Sequence, residues 1–243
     1  MTDQELLKDL EEKLEHYDGA LDKWSKNYLK SNRKRYLFDI QLISKYYKSG
    51  QILELGSSPY HLTHVLKQKG YSIIGADIDP SRQAKFISDQ NLDIVKCNVE
   101  DEKLPFKDGE FQFIIFNEIF EHLRINPIRT LREINRVLHK DGILLLTTPN
   151  LYSVRNIVNF LRGEGFDNPY EQFLKLETLG HMGHVREYSV KQVLEFLDNT
   201  DYQSIEVLRK SYTPLHGFWR PFNLLRKVFT GLHTYQIHVC KKK

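Results

Sequence analysis

The first stretch whose residue types can do chemistry is Glu54-Leu55-Gly56-Ser57-Ser58-Pro59-Tyr60. It ends an apolar run in a Gly/Ser turn just ahead of a helical pattern. A turn of that kind lets a ligand approach the backbone closely, and the free N–H groups at the start of the helix favour negative charge. About twenty residues on, Asp77 closes the next apolar run, where doubly wound folds keep an acid for the two ribose hydroxyls of a nucleotide. A carboxylate suits that task because both oxygens accept hydrogen bonds. These two features alone allow NAD, but a full G-x-G-x-x-G is absent and only Gly56 of it remains. Taken singly, Gly56 reads equally well as a plain strand-to-helix turn and Asp77 as a solvated loop acid.

Other reactive residues are sparser. Cys97 and Cys240 are the only cysteines. They make neither a disulfide framework nor a zinc motif, and Cys97 sits in an apolar strand pattern where cysteine acts as a small hydrophobe. His181 and His184 could hold a metal with a third ligand. Two histidines in a glycine-bearing loop more often serve as polar pocket residues, so no metal is expected.

These residues need elements to carry them. Leu6, Leu7, Leu10 and Leu14 have helical spacing, and a second helix is expected over 33–47. Strands are expected at 51–55, 71–76, 93–97, 111–116 and 143–147, the last after an Asp141-Gly142 turn. Helices at 61–69, 81–90 and 127–138 separate them. Apolar strands alternating with helices imply a parallel sheet covered on both faces. Beyond Pro149 come a helix at 151–161, a loop from Arg162 to Phe173, a helix at 189–197 capped by Ser189, a strand at 204–210, a helix at 218–229 and a last strand at 234–240. The sum is an α/β, doubly wound, seven-stranded and mostly parallel sheet, with the last strand as an antiparallel edge. Residues 1–48 form a helical lid or packing segment, and about 150–188 a cap insertion within the domain 49–243.

The bulk numbers set limits. The chain has 243 residues, a formal charge of +3 and 28% charged residues. No dense Lys/Arg block with interleaved aromatics reads as a nucleic-acid groove, so no nucleic-acid partner is expected. The charged N-terminus is no signal peptide, and no apolar stretch approaches the ~18 residues of a membrane span. A cytoplasmic setting is the expectation. The segment 218–229 combines aromatic and basic residues and could dock on a membrane surface or cover a lipophilic substrate. A single apolar stripe is more simply core packing, here on the sheet edge.

Four blocks in order, ILELGSSPYH, IIGADIDPS, VKCNVEDEKLPFKDGEFQFIIFNEIFEHL and LREINRVLHKDGILLLTTPN, resemble the class I S-adenosylmethionine-dependent methyltransferases, especially small-molecule and glycan-associated ones. The resemblance covers 51–150 well and fades towards 197. It implies a Rossmann-like fold and S-adenosylmethionine as cofactor. Glu54 and Gly56, with Ser57 and Ser58, would face its methionine part. Asp77 would take the ribose, and Ile78 would pack on the adenine. Asn98 and Val99 would read the adenine edge, and Asn117 and Glu118 would close the fourth strand beside the methionine end. Two departures stand out: the loop reads GSSPY in place of several glycines, and Gln112 stands where the family favours Asp.

Methyl transfer asks mainly for positioning. A base is needed only where the acceptor must lose a proton, and His122 and His184 are the candidates, with Glu121 and His181 beside them. The run from Gly180 to Tyr188 is similar to the family's G-H-x-R-x-[FY]-[ST] block on the substrate side. His181, Arg186 and Tyr188 are therefore expected in the acceptor pocket, although a salt bridge to a carboxylate is the simpler role for Arg186. The resemblance implies transfer to an oxygen or nitrogen of a small molecule or glycan. The alternatives are a catalytically degenerate scaffold of the same fold and, further off, an NAD-dependent oxidoreductase or epimerase.

Overall fold

The computed structural model describes residues 1–101, 103–179 and 183–243. They divide into two compact units, one of residues 1–115 with 136–143 and one of 116–135 with 144–243.

The first unit opens with α1 (Asp3–Leu14) and α2 (Ala20–Tyr46). Thr2 and Glu5 form a reciprocal cap at the head of α1, and Leu6, Leu7, Leu10 and Leu14 are buried, as their spacing predicts. Arg33 ties α2 to Glu11 at 3.1 Å. The second helix is much longer than the expected 33–47. Its first half, from Asp22 to Asn32, is mostly polar, which hides the helical period. Next come β1 (Ile52–Leu55), α3 (His61–Gln68), β2 (Ile73–Asp77), α4 (Ala84–Asp89) and β3 (Ile94–Lys96). β1 pairs in parallel with β2 and with β4 (Phe111–Asn117), and β2 with β3. The departure at Gln112 has a local reason: its Oε1 accepts the Gln51 N–H at 2.7 Å, which fixes the start of β1.

The second unit carries α5 (Pro127–Val137), α6 (Val154–Leu161), α7 (Pro169–Leu179), α8 (Val190–Asp198), β6 (Tyr202–Lys210), α9 (Phe222–Val228) and β7 (Tyr235–Lys242). Ser189 caps α8 through its side chain, as predicted. α7 replaces the expected loop. Pro169 fits the first turn of a helix, where its missing N–H costs nothing.

The strands follow the order β3-β2-β1-β4-β5-β7-β6, with β5 spanning Leu138–Pro149. Seven strands and the reversal of order between β1 and β4 match the doubly wound expectation. Three details differ. β5 runs straight through Asp141-Gly142, so no turn forms there. A Cβ on Gly142 would lie 2.6 Å from Leu138 Cδ1, so this glycine serves close packing. The last strand is not an edge: β7 pairs antiparallel with β6 and sits between β5 and β6. Ile237, His238, Val239 and Cys240 are fully buried, and a strand so buried needs neighbours on both sides. The late helix begins only at Phe222, after a separate turn at Gly217–Trp219. It leaves Leu224, Val228 and Phe229 exposed, in place of the packed face expected. Among the described residues no helix is long and apolar enough to cross a membrane.

Candidate functional site

The residues expected to hold the nucleotide lie in the first unit, at the carboxyl ends of β1, β2 and β3. Gly56 follows β1 with φ +68°, a left-handed turn that glycine adopts freely. Its N–H and that of Ser57 both reach Ala76 O, at 2.8 and 3.0 Å, and so fold the loop against β2. Asp77 braces the loop: one carboxylate oxygen accepts the Ser58 N–H at 3.2 Å and the other the Asp79 N–H at 3.0 Å. Each oxygen keeps a further lone pair for a ligand hydroxyl. Ile78, next to it, is 55% exposed, a bare aliphatic surface beside an acid. Asn98 is half-buried after β3. Its carboxamide accepts the Glu100 N–H and donates to Asp101, so Asp101, which sequence reading passed over, sets its orientation. Val99 is half-buried beside it.

Glu54 behaves differently from its expected role. It is buried, it accepts a hydrogen bond from Thr63 in α3, and burial pushes its pKa up to about 8. It therefore anchors the loop from beneath. Tyr60, buried at the head of α3, is held at φ +67°. A bulky residue in that region is strained.

A second cluster lies wholly in the second unit. Glu118 follows β4 at φ +56°, again left-handed and again not glycine. Its N–H donates to Thr147 O at 2.9 Å, and its carboxylate accepts the Thr147 hydroxyl at 2.8 Å. Asn117 precedes it, half-buried. Glu121 is 1% exposed, and its Oε2 accepts the Thr148 hydroxyl at 2.9 Å. Its backbone O accepts the N–H groups of Val185 and Arg186, which brings the distant 183–187 segment alongside. His122 Nδ1 lies 2.9 Å from Gly183 O, and His184 Nδ1 lies 3.0 Å from Glu187 Oε1. Both acceptors lack a proton to give, so each Nδ1 carries the hydrogen. Each Nε2 stands 3.9 Å from Glu121 Oε1.

Burial, with the Glu118 charge, drives the Glu121 pKa well above the usual carboxylate range. Burial opposes a charge on His184, but the Glu187 hydrogen bond and the carboxylates of Glu121 and Glu118 outweigh it and raise its pKa. Glu187 is itself held by Asn156 Nδ2 at 2.6 Å.

The two histidines singled out as bases thus come together, with ring centroids 5.2 Å apart. His181 lies outside the described residues. Arg186 is exposed and lies over the Tyr188 ring, at 6.0 Å, and among the described residues it makes no salt bridge of the kind weighed above. Tyr188 does not line an open pocket. It is 4% exposed and packs on Phe120 and Phe196 at 4.8 and 5.6 Å, where burial raises its pKa. Glu121, Glu187, Thr147 and Thr148 complete the cluster. Sequence reading named only Glu121 among them, because the others lie far apart along the chain.

A doubly wound sheet with a tight glycine turn after β1 and an acid ending β2 defines a nucleotide-cofactor domain. The profile of the methyltransferase domain family matches residues 24–207. The chain belongs to that family, the class I S-adenosylmethionine-dependent methyltransferases. The uncharacterized protein MJ1252 of Methanocaldococcus jannaschii is 31% identical over 147 residues, which are 58% of this chain and 55% of that one. MJ1123 of the same organism is 29% identical over 131 residues, 53% of this chain and 60% of that one. The chain thus spans a little over half the length of these curated relatives. An S-adenosylmethionine-dependent methyltransferase from Archaeoglobus fulgidus superposes with a TM-score of 0.62 at 13% identity, over 89% of this chain and 99% of that one. A Thermotoga maritima methyltransferase, described as a possible histamine N-methyltransferase, gives 0.60 at 19%, over 91% and 95%. At such identities the likeness is one of fold.

Proposed function

We propose that the chain transfers the methyl group of S-adenosylmethionine to an oxygen or nitrogen of a small molecule or glycan. The observation that carries this reading is the Asp77 carboxylate, braced at the end of β2 by two backbone N–H groups with lone pairs to spare. Asp77 would hold the ribose, Ile78 the adenine face, and the Asn98 and Val99 stretch the adenine edge. The left-handed Gly56 turn gives the methionine part close access to backbone. When bound, the cofactor would supply an electrophilic methyl group carried on a sulfonium.

The residues of the second unit would serve the acceptor. The Nε2 atoms of His122 and His184 bear lone pairs and can take the proton that a hydroxyl or ammonium acceptor must lose. The neighbouring carboxylates stabilise the imidazolium formed. Arg186, exposed and lying over the Tyr188 ring, suits an anionic acceptor group.

Calorimetric titration with S-adenosylhomocysteine tests the cofactor half. Saturable binding is expected, with Asp77→Ala weakening it beyond detection while the fold persists by circular dichroism. Absence of binding at millimolar ligand favours a scaffold of the same fold, and binding of NAD instead overturns the cofactor assignment. Mass-shift screening of cell extracts with isotopically labelled cofactor then identifies the acceptor.

A further inference from the structure

We propose that Glu121, His122 and His184 bind one divalent first-row transition ion through Glu121 Oε1 and the two Nε2 atoms. This proposal departs from the expectation of no metal drawn from sequence. A ligand atom from each of these residues lies within 4.8 Å of the others. The arrangement has a chemical peculiarity. Both imidazoles spend their Nδ1 hydrogen on other partners, Gly183 O and Glu187 Oε1. The remaining ring nitrogens, the two Nε2 atoms, each lie 3.9 Å from Glu121 Oε1. Glu121 Oε1 is buried and accepts no hydrogen bond among the described residues. A divalent cation placed among these three atoms would take one ligand from each residue. The 3.9 Å separations are too long for a shared proton in a direct hydrogen bond.

The outer contacts are those of a metal site. Ligating histidines usually donate their second N–H to a carbonyl or carboxylate, which fixes the tautomer. His122 does the first and His184 the second. Thr148 holds the other oxygen of Glu121, and Asn156 holds Glu187. Metal bonds of about 2.1 Å would bring neighbouring ligand atoms to roughly 3.0–3.5 Å, so the three side chains would have to close in by roughly 0.5 to 1.5 Å. At 37% and 33% side-chain exposure the two rings are open on one side, leaving coordination positions for an outside oxygen or nitrogen. Two imidazoles and one carboxylate favour manganese, iron, cobalt or zinc over calcium. With the ion bound, the two Nε2 atoms no longer take a proton; the ion would replace them in helping the acceptor lose it, by orienting the hydroxyl and making it more acidic. That role rests on the methyl-transfer reading, whereas binding of the ion does not.

The test titrates Co2+ into the chain, prepared without a polyhistidine tag and stripped by chelator, and follows the visible absorption of the ion. One ion per chain is expected, displaced by Zn2+. His122→Ala and His184→Ala should each weaken binding by about tenfold or more, and Glu187→Gln by about ten- to a hundredfold. His216→Ala, an exposed histidine elsewhere, should leave it unchanged. Equal binding by wild type and both histidine variants overturns the site, as does no binding at all. S-adenosylhomocysteine titration of the same samples separates the two proposals. Cofactor binding without Co2+ binding sinks only the metal site, and the reverse sinks only the cofactor reading.

Discussion

At the scale of single residues, the chemistry depends on polar groups with few ways to be satisfied. Glu121 is buried, and the Thr148 hydroxyl is the donor to its Oε2. Thr148→Val keeps the shape and removes that donor. An unsatisfied buried group costs about 1–3 kcal/mol, so the urea midpoint should fall by that equivalent; an unchanged midpoint would show that water replaces the hydroxyl. The residues of this cluster were only half legible in the sequence. Glu121 and His122 are adjacent and drew notice together. His184 was noticed separately, from its glycine-bearing loop. Nothing in the chain says that the backbone O of Glu121 pairs with Val185 and Arg186 and so unites them. The left-handed backbone of Glu118 was equally hidden, because sequence marks such positions only when they hold Gly or Asn.

At the scale of elements, β2 and the loop after β1 form one device. A Cβ on Gly75 would come within 2.5 Å of Ile94 Cδ1 in β3, and within 2.8 Å of Ser57 Oγ and 3.1 Å of Ser57 Cβ in the loop. Gly75→Ala should therefore push the loop outward, cost about 1–3 kcal/mol of stability and weaken S-adenosylhomocysteine binding several-fold. Unchanged affinity by calorimetry would mean that Ser57 takes no part in the cofactor cluster. The strands around this loop were legible because each is a short apolar run bounded by turn residues. Their ends shifted by a residue or two, as hydrogen bonding rather than composition sets them. The elements misread share a cause. α7 hides behind a proline and polar residues, β5 behind an Asp-Gly pair that normally turns, and the first half of α2 behind a polar sequence. In each, tertiary packing overrides a local signal.

At the scale of the whole molecule, buried histidines set the response to acid. Burial holds His61 and His238 down at about 3 and His64 at about 4. The unfolded chain binds protons on these rings below about 6.5, whereas the folded chain refuses them. Their stabilisation is complete above that pH and is lost as pH falls towards 3–4, by several kcal/mol in total. Glu54 has the opposite sign. Raised to about 8, it keeps a proton that the unfolded chain releases above 4.5, so its contribution fades as pH rises from 4.5 to 8. Denaturation midpoints measured from pH 8 to 4 should fall steeply on the acid side. Both ring nitrogens of His64 are buried without a hydrogen bond among the described residues. His64→Leu should raise the midpoint at pH 7 and flatten the acid limb. An acid limb as steep as before would place the titration elsewhere.

The bracing of Asp77 also governs how quickly a ligand is captured. Ser58 and Asp79 donate to its two oxygens, which ties the GSSPY turn to the end of β2. No ordering step need follow the encounter, and little conformational freedom is surrendered. In stopped-flow mixing, S-adenosylhomocysteine should associate in one exponential phase whose rate rises linearly with ligand concentration. On the proposed reading the serines and proline would stand in for the glycines of the family, and affinity differences among ligands should appear almost entirely in how slowly they leave.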